Sequence, residues 1–259
     1  MPHLSHIFIY PIKSLDGVAV SQATLLESGA IAGDREFAII DARGQYVNGK
    51  RHAAIHRLRS RFDLGQRTVT LQVQGQSATV SFNLEADRRD LANWLSDYFG
   101  FAVQLQQNQQ VGFPDDLASP GPTLISSETL QTVATWFPGL TLEEVRRRFR
   151  TNLEIAAEVP FWEERLFNAD DRPQPFQIGS VQLAGINPCQ RCVVPLRDSQ
   201  TGETYSGFQA RFTAARKATL PAWAPQSRFN HFYKLAINTR LVPGSTARQL
   251  QVGDPIQGL

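Results

Sequence analysis

The sequence predicts a β-rich α+β protein built on a barrel, and three observations carry that expectation. Short apolar or alternating runs, closed by Gly, Pro or Asp, recur along the whole chain. Only a few segments switch to a helical period, and no βαβαβ alternation is present, which argues against a parallel doubly wound sheet.

The elements follow in order. Ile7-Phe8-Ile9-Tyr10 is apolar throughout and stops at Pro11, a strand. Glu36 to Asp41 is a second apolar run, closed by the turn signal Asp41-Ala42-Arg43-Gly44. Thr68 to Val73 and Ser77 to Phe82 alternate with period two around Gln74-Gly75-Gln76, a hairpin. From Asp87 to Phe99 the period changes: Leu91, Trp94, Leu95, Tyr98 and Phe99 share a helical face, with Asp87 as N-cap and Gly100 as C-cap. A strand from Phe101 to Leu105 precedes Gln106-Gln107-Asn108-Gln109-Gln110 and then Pro114, Pro120 and Pro122. That polar, proline-marked stretch is either a domain boundary, dividing residues 1–110 from 111–259, or a functional loop between two lobes.

The second part opens with two helices. Ser126 caps Ser127 to Phe137, and Thr141-Leu142-Glu143-Glu144 is a capping box. Glu143–Arg147 and Glu144–Arg148 then form i,i+4 pairs in the favourable order, which accounts for much of the Arg146-Arg147-Arg148 run without any function. Arg150 and Asn152 lie past the helix, leading into a strand from Asn152 to Ala156, and helix pairing does not explain them. Short strands are expected around Phe176, Val181 and Cys192, a helix over Phe208 to Ala218 stopped by Pro221, and closing strands at Phe232 to Asn238 and Gln249 to Val252.

Composition bounds the function. At 259 residues the chain can bury a full core. Apolar content of 42%, charged content of 19% and a net charge of +2 describe a soluble protein with no default affinity for nucleic acid. A run of about 18 apolar residues, the length that spans a membrane, is absent. The N-terminus lacks the pattern of an export signal, so the two thiols are expected reduced in the cytoplasm. Two cysteines fall short of the four that an iron–sulfur cluster normally takes, so electrons must come from a separate protein.

Both cysteines sit in Asn187-Pro188-Cys189-Gln190-Arg191-Cys192-Val193-Val194-Pro195, followed by Asp198 and Thr201-Gly202-Glu203. A thiol that reacts or binds metal does so as thiolate, and an adjacent cation such as Arg191 favours that form. The plain alternative is that both are small buried apolar residues. Structural zinc needs four N or S ligands at paired spacings; no second CxxC exists, and His52 and His56 lie far upstream. A redox pair would open a helix in a βαβ unit, whereas Val193-Val194-Pro195-Leu196 reads as a short strand stopped by proline. A strand-edge cysteine beside arginine suits a single thiolate ligand for a soft or high-valent metal.

At this point the chain resembles the MOSC proteins, in particular the branch with an N-terminal MOSC-type β-barrel that includes YcbX-like proteins and mitochondrial amidoxime-reducing components. The motifs that carry it, in order, are Tyr10-Pro11-Ile12-Lys13-Ser14 with Gly17, Gly33-Asp34-Arg35, Ser126 before its helix, Arg150-Thr151-Asn152, Cys189-Gln190-Arg191-Cys192 with Asp198 and Thr201-Gly202, and Val252-Gly253-Asp254-Pro255. The resemblance implies a MOSC β-barrel plus a smaller N-terminal barrel lobe, and a molybdenum-pyranopterin cofactor whose metal is bound by Cys192, with Cys189 only a neighbour. It implies that Lys13, Ser14 and Arg35 bind the pterin phosphate or its surroundings, that Ser126, Arg150 and Asn152 add hydrogen bonds from the other lobe, and that Arg191 favours the thiolate. The implied activity is reduction of N-hydroxylated or N-oxide substrates such as hydroxylamines and amidoximes. Electrons would come from a ferredoxin, a flavoprotein or a cytochrome b5-like protein. A non-catalytic cofactor carrier and a persulfide carrier on Cys192 are the alternatives. Two positions depart from the amidoxime-reducing pattern, Thr151 in place of proline and Asn230 in place of glycine, and the ferredoxin-type domain carried by many YcbX-like proteins is not found.

Overall fold

A computed structural model describes residues 1–258 and shows how the two ends of the chain are woven together. The main sheet has eight strands in the spatial order Ile256–Gly258, Gln174–Ile178, Val181–Gln190, Lys234–Leu241, Leu124–Ser126, Leu153–Ala156, His3–Ile9 and Val18–Val20. The apolar run at the N-terminus is thus a strand of the C-terminal sheet. His3–Ile9 lies antiparallel to Leu153–Ala156, with Ile7 opposite Leu153 and Leu4 opposite Ile155, and a bulge falls between Leu4 and His6.

The same strand closes the barrel. His3 bridges Pro255, the Leu4 N–H donates to Asp254 O at 2.8 Å, and the Gly253 N–H donates to Leu4 O at 2.8 Å. Closure removes the open edge that a twisted sheet would otherwise expose. Leu4, Ile7 and Ile9 alternate inward and meet Leu124, Leu153, Phe176, Val181 and Ile237 in one core.

A second core belongs to residues 12–105. There Phe37–Asp41 pairs with Val103–Gln107, and Leu58–Asp63, Thr68–Val73 and Thr79–Asn83 form a three-stranded sheet. Helix α1 (Arg88–Phe99) packs Leu91 and Leu95 onto Leu71, Phe82 and Val103. Its C-cap is Gly100 in the left-handed conformation, as the sequence predicts, whereas Asp87 spends its carboxylate on the Asn83 N–H. The glutamine stretch does not begin as a loop: Gln106 and Gln107 finish a strand, and Gln107 hydrogen-bonds the buried Glu36. A cut at residues 110/111 would separate His3–Ile9 and Val18–Val20 from the rest of the main sheet, so the sheets do not follow that division of the sequence.

The third core forms under α2 (Ser127–Thr135), α3 (Leu142–Phe149) and α4 (Phe208–Ala218), where Phe137 and Phe208 stack with centroids 4.2 Å apart. Thr141 caps α3 through the Glu144 N–H at 3.1 Å. The arginine run divides in a way that differs from expectation. Arg148 pairs with Glu144 at 2.6 Å, but Arg146 turns to Glu143 and Glu154, and Arg147 makes no such pair among the described residues. No helix among those residues is long and apolar enough to cross a membrane.

Beneath α2, Glu163 and Glu164 are both buried. Glu164 pairs with the buried Arg216, and Glu163 accepts from Thr129 Oγ1 at 3.1 Å. Burial, with the Glu164 charge beside it, pushes Glu163 up from 4.5 to about 7. A carboxyl raised in the folded state contributes fully at low pH and loses stability as pH rises from the unfolded value toward the folded one. Glu163→Gln should therefore gain on wild type by about 3 kcal/mol between about pH 4 and about pH 8 in urea titrations. A difference between the two proteins that is independent of pH would show that Glu163 is ionised in the fold.

Candidate functional site

Between the lobes lies a cavity of about 1270 Å³, and its charge is far from that of the whole chain. Thirteen lysines and arginines line it against seven aspartates and glutamates, although the protein carries a net charge of only +2. The cavity is therefore where the chain concentrates its positive potential, and an anionic occupant is what such a field favours.

Tyr10 organises the floor. Its backbone N–H donates to Asp34 Oδ1 at 2.9 Å, its hydroxyl donates to Thr151 O at 3.2 Å, and its carbonyl accepts from the Arg35 N–H at 2.7 Å. The Arg150 guanidinium lies 4.2 Å from the ring centroid and that of Arg35 lies 5.1 Å away. One aromatic ring thus carries two arginines from opposite lobes. Gly17 is required beside it, since an added Cβ would sit 2.6 Å from the ring. The Tyr10 phenol is pushed up to about 12 by burial, so it stays a donor.

Around this floor the structure gathers most of the residues singled out from sequence. Lys13, Ser14, Arg35, Arg150, Asn152, Arg191 and Cys192 all line the cavity. Ser14, Arg35 and Arg150 hold left-handed backbone conformations, with φ of 74°, 48° and 52°. Such conformations cost roughly 1–3 kcal/mol each and cluster where function constrains the chain. Burial lowers the pKa of both Lys13 and Arg150, so each charge is held at a penalty that a bound anion would relieve. Arg150 Nη2 and Arg191 Nε are buried without any hydrogen-bond partner. Asn152 serves as a clasp: its Oδ1 accepts from Thr123 and Arg35, and its Nδ2 donates to Phe8 O at 3.1 Å.

Ser126 is a correction. It is fully buried, does not line the cavity, and accepts the Thr129 N–H at 3.2 Å as the N-cap of α2. Its hydroxyl belongs to the Ser126–Thr129–Glu163 network, so hydrogen-bonding chemistry that could have served a ligand is spent inside the fold.

The cysteine segment also differs from the expected short strand. The strand ends at Gln190, Cys192 lies in the loop after it, and Val194–Leu196 forms a 3-10 turn with Pro195 at its start, where the missing N–H does no harm. Cys189 also lines the cavity, but its thiol is turned onto Asn238 in the wall. It is 5% exposed, its thiol donates to Asn238 Oδ1 at 2.8 Å, and burial pushes it up to about 12. Arg191 acts on Cys189 and Tyr233, with Nη2 donating to Phe149 O at 2.6 Å. Cys192 is half-buried and faces the cavity. Among the described residues, no group of three or more His, Cys, Asp or Glu side chains is arranged to hold a metal ion, so a metal at Cys192 would bring its other ligands with it.

Sequence reasoning missed several cavity residues. His56 lines it while His52 does not and packs at a tilt against Phe101, which splits the pair noted for its spacing. Burial, reinforced by Arg150, Arg197 and Arg59, keeps His56 neutral. Asp115 pairs with Lys13, and the adjacent acids between prolines were its only signal. Arg147 was hidden by its helix-pairing pattern.

The fold and cavity thus define a two-lobed β-barrel protein with a cationic cleft and one reachable thiol. The N-terminal part matches the MOSC N-terminal beta barrel domain over residues 1–103, and residues 123–257 match the MOSC domain. The chain belongs to the MOSC family. Similar curated proteins are named molybdenum cofactor sulfurase. That of Drosophila grimshawi is 25% identical over 78% of this chain and 29% of its own length. That of Danio rerio is 23% identical over 84% of this chain and 33% of its own length, and that of Homo sapiens 22% over 78% and 27%. The chain spans about a third of the length of the curated relatives it matches.

The unequal cysteines are open to a direct check. Ellman's reagent should titrate a single thiol in native protein and both in denaturant, with Cys192→Ser removing the native signal. Native labelling that survives in Cys192→Ser would mean that Cys189 is reachable.

Proposed function

We propose that this protein binds the molybdenum-pyranopterin cofactor in the interlobe cavity with Cys192 as the protein's ligand to the metal, and that it reduces N-hydroxylated or N-oxide compounds. The observation that carries this is the asymmetry of the two cysteines that line the arginine-rich cavity: Cys192 is half-buried, whereas Cys189 is buried, protonated and tied to Asn238. A pterin phosphate fits the donor set. Lysine supplies a point charge and arginine a planar fork, and the buried, unpartnered Arg150 Nη2 is the kind of donor that an absent acceptor would satisfy.

When bound, the cofactor would supply the two-electron chemistry of oxygen-atom removal. The chain's own part is to bind and orient. Lys13 and Arg35 would grip from one lobe, Arg150 and Arg191 from the other, with Tyr10 fixing the distance between the two guanidinium groups over its ring. Asn152 keeps Arg35 in place through Oδ1. Lys13 and Asn152 are buried, and the lower dielectric there strengthens their interactions. Electrons would arrive from a separate ferredoxin, flavoprotein or cytochrome b5-like protein.

A second reading has its own support. The relatives are named as sulfurases of the cofactor, and phosphate-anchoring groups serve a carrier as well as an enzyme. On that reading the chain holds the cofactor, or a persulfide on Cys192, without turnover.

Metal analysis separates these. Protein made in a host that synthesises molybdopterin should hold near-stoichiometric molybdenum, retained in Cys189→Ser and lost in Cys192→Ser. Equal loss from both variants sinks the single-ligand assignment, and no molybdenum in wild type sinks the cofactor itself. Arg150→Met should retain at least about tenfold less cofactor without a lower melting temperature. Loaded protein should reduce benzamidoxime with a reduced viologen; full loading without turnover favours the carrier, and cyanide-releasable sulfur without molybdenum favours the persulfide.

A further inference from the structure

The anchor that a phosphate would need is already in use. Lys13 is 7% exposed, and its ammonium donates to Phe113 O and to Asp115 Oδ1, each at 2.8 Å. Lys50 Nζ approaches the same Asp115 oxygen at 3.6 Å. Burial acts to raise Asp115, but Lys13, Lys50 and Arg35 prevail and hold its carboxyl well below the usual carboxylate range. It is an anion at neutral pH.

The two partners are unequal. The Lys13 side chain is 9% exposed and that of Asp115 63%, so the cation is built into the lobe and the carboxylate reaches in from outside. Asp115 rides on the segment that crosses from one lobe to the other, and only the ends of that segment are tied down. At the near end the Phe113 N–H donates to Arg35 O at 2.8 Å, and Gly112, at φ 66°, passes so close to Asp34 that a Cβ would meet its carbonyl oxygen at 2.6 Å. At the far end Pro122 O accepts from Thr239 Oγ1 at 2.7 Å. Between them Asp116 closes its own turn onto the Ala118 N–H, and Leu117 is 76% exposed. No residue from 114 to 121 belongs to any of the three apolar cores, so displacing the middle would leave those cores intact.

We propose that Asp115 is a resident anion at the Lys13 site, and that it makes this site selective for a phosphate dianion. The inference rests on reading the cleft as a cofactor site. A tethered carboxylate acts at high effective concentration, so a free monoanion such as acetate gains nothing by replacing it. A phosphate brings up to two charges and three acceptor oxygens, enough to engage Lys13, Lys50 and Arg35 together. Asp115 thereby keeps carboxylate-bearing small molecules out of the anchor and yields to the one chemistry that outbids it.

Calorimetric titration of metal-free, full-length protein with inorganic phosphate and with acetate tests this. Asp115→Asn and Asp115→Ser should each bind phosphate about tenfold more tightly than wild type and acquire acetate binding. Lys13→Met should lose phosphate binding. Adding phosphate to wild type should speed hydrogen exchange at residues 115–119, as the carboxylate is released. If both Asp115 variants bind phosphate no more tightly while Lys13→Met still loses it, Asp115 is not a competitor and the inference falls alone. If Lys13→Met binds as wild type does, Lys13 is no anion anchor, and both the inference and that part of the proposed site fall.

Discussion

The antiparallel pairing of His3–Ile9 with Leu153–Ala156 is the interaction on which the rest of the structure depends. It inserts the first strand of the chain into a sheet made otherwise, apart from the edge strand Val18–Val20, from residues beyond 120 and, through the His3–Pro255 bridge, closes that sheet. Leu4, Ile7 and Ile9 then bury their side chains in the C-terminal core, each worth about 1.5–3 kcal/mol in removed apolar surface. The next residue, Tyr10, leaves the strand and enters the cleft. Tyr10, and through its carbonyl Arg35, is thus placed by a strand that belongs to the other lobe. The two half-sites face each other because the chain is threaded this way, not because two finished domains happen to dock.

The cleft shows the opposite economy to the cores. Three side chains sit on left-handed backbone, buried cations are held with too few acceptors, and arginines share one aromatic face. The first two lower stability, the third sets two like charges beside each other at a ring that attracts both, and all of them lie along one cavity. Proteins break local rules at functional sites and offset the loss elsewhere. Here the offset comes from three well-filled apolar cores. The asymmetry of the cysteines lies on the same border: Cys189 packs into the third core where it meets the cavity wall, and Cys192 is the more exposed of the two.

Much of this was legible in the chain. Period-two runs marked the strands, the capping box at Thr141 and the glycine at 100 marked helix ends, and α4 was read at its observed limits of Phe208 and Ala218. What misled was residue chemistry that fits two settings. Ser126 reads as a hydrogen-bonding ligand residue and as an N-cap, and only the packing of α2 decides for the cap. Val193-Val194-Pro195 has the composition of a strand, but the chain turns there so that Pro195 is buried and Cys192 meets the cavity. Arg147 matched an i,i+4 pair, yet Glu143 turned to Arg146 instead.

By itself the sequence determined the local elements, the barrel class and the residue types able to hold an anionic, metal-bearing group, because these depend on side-chain periodicity, turn chemistry and functional-group inventory. Tertiary structure alone decided which strand completes which sheet, that Lys13 is covered by Asp115, that two arginines share the face of Tyr10, and which cysteine is reachable. Those outcomes depend on contacts between residues more than a hundred positions apart, and a local pattern carries no record of them.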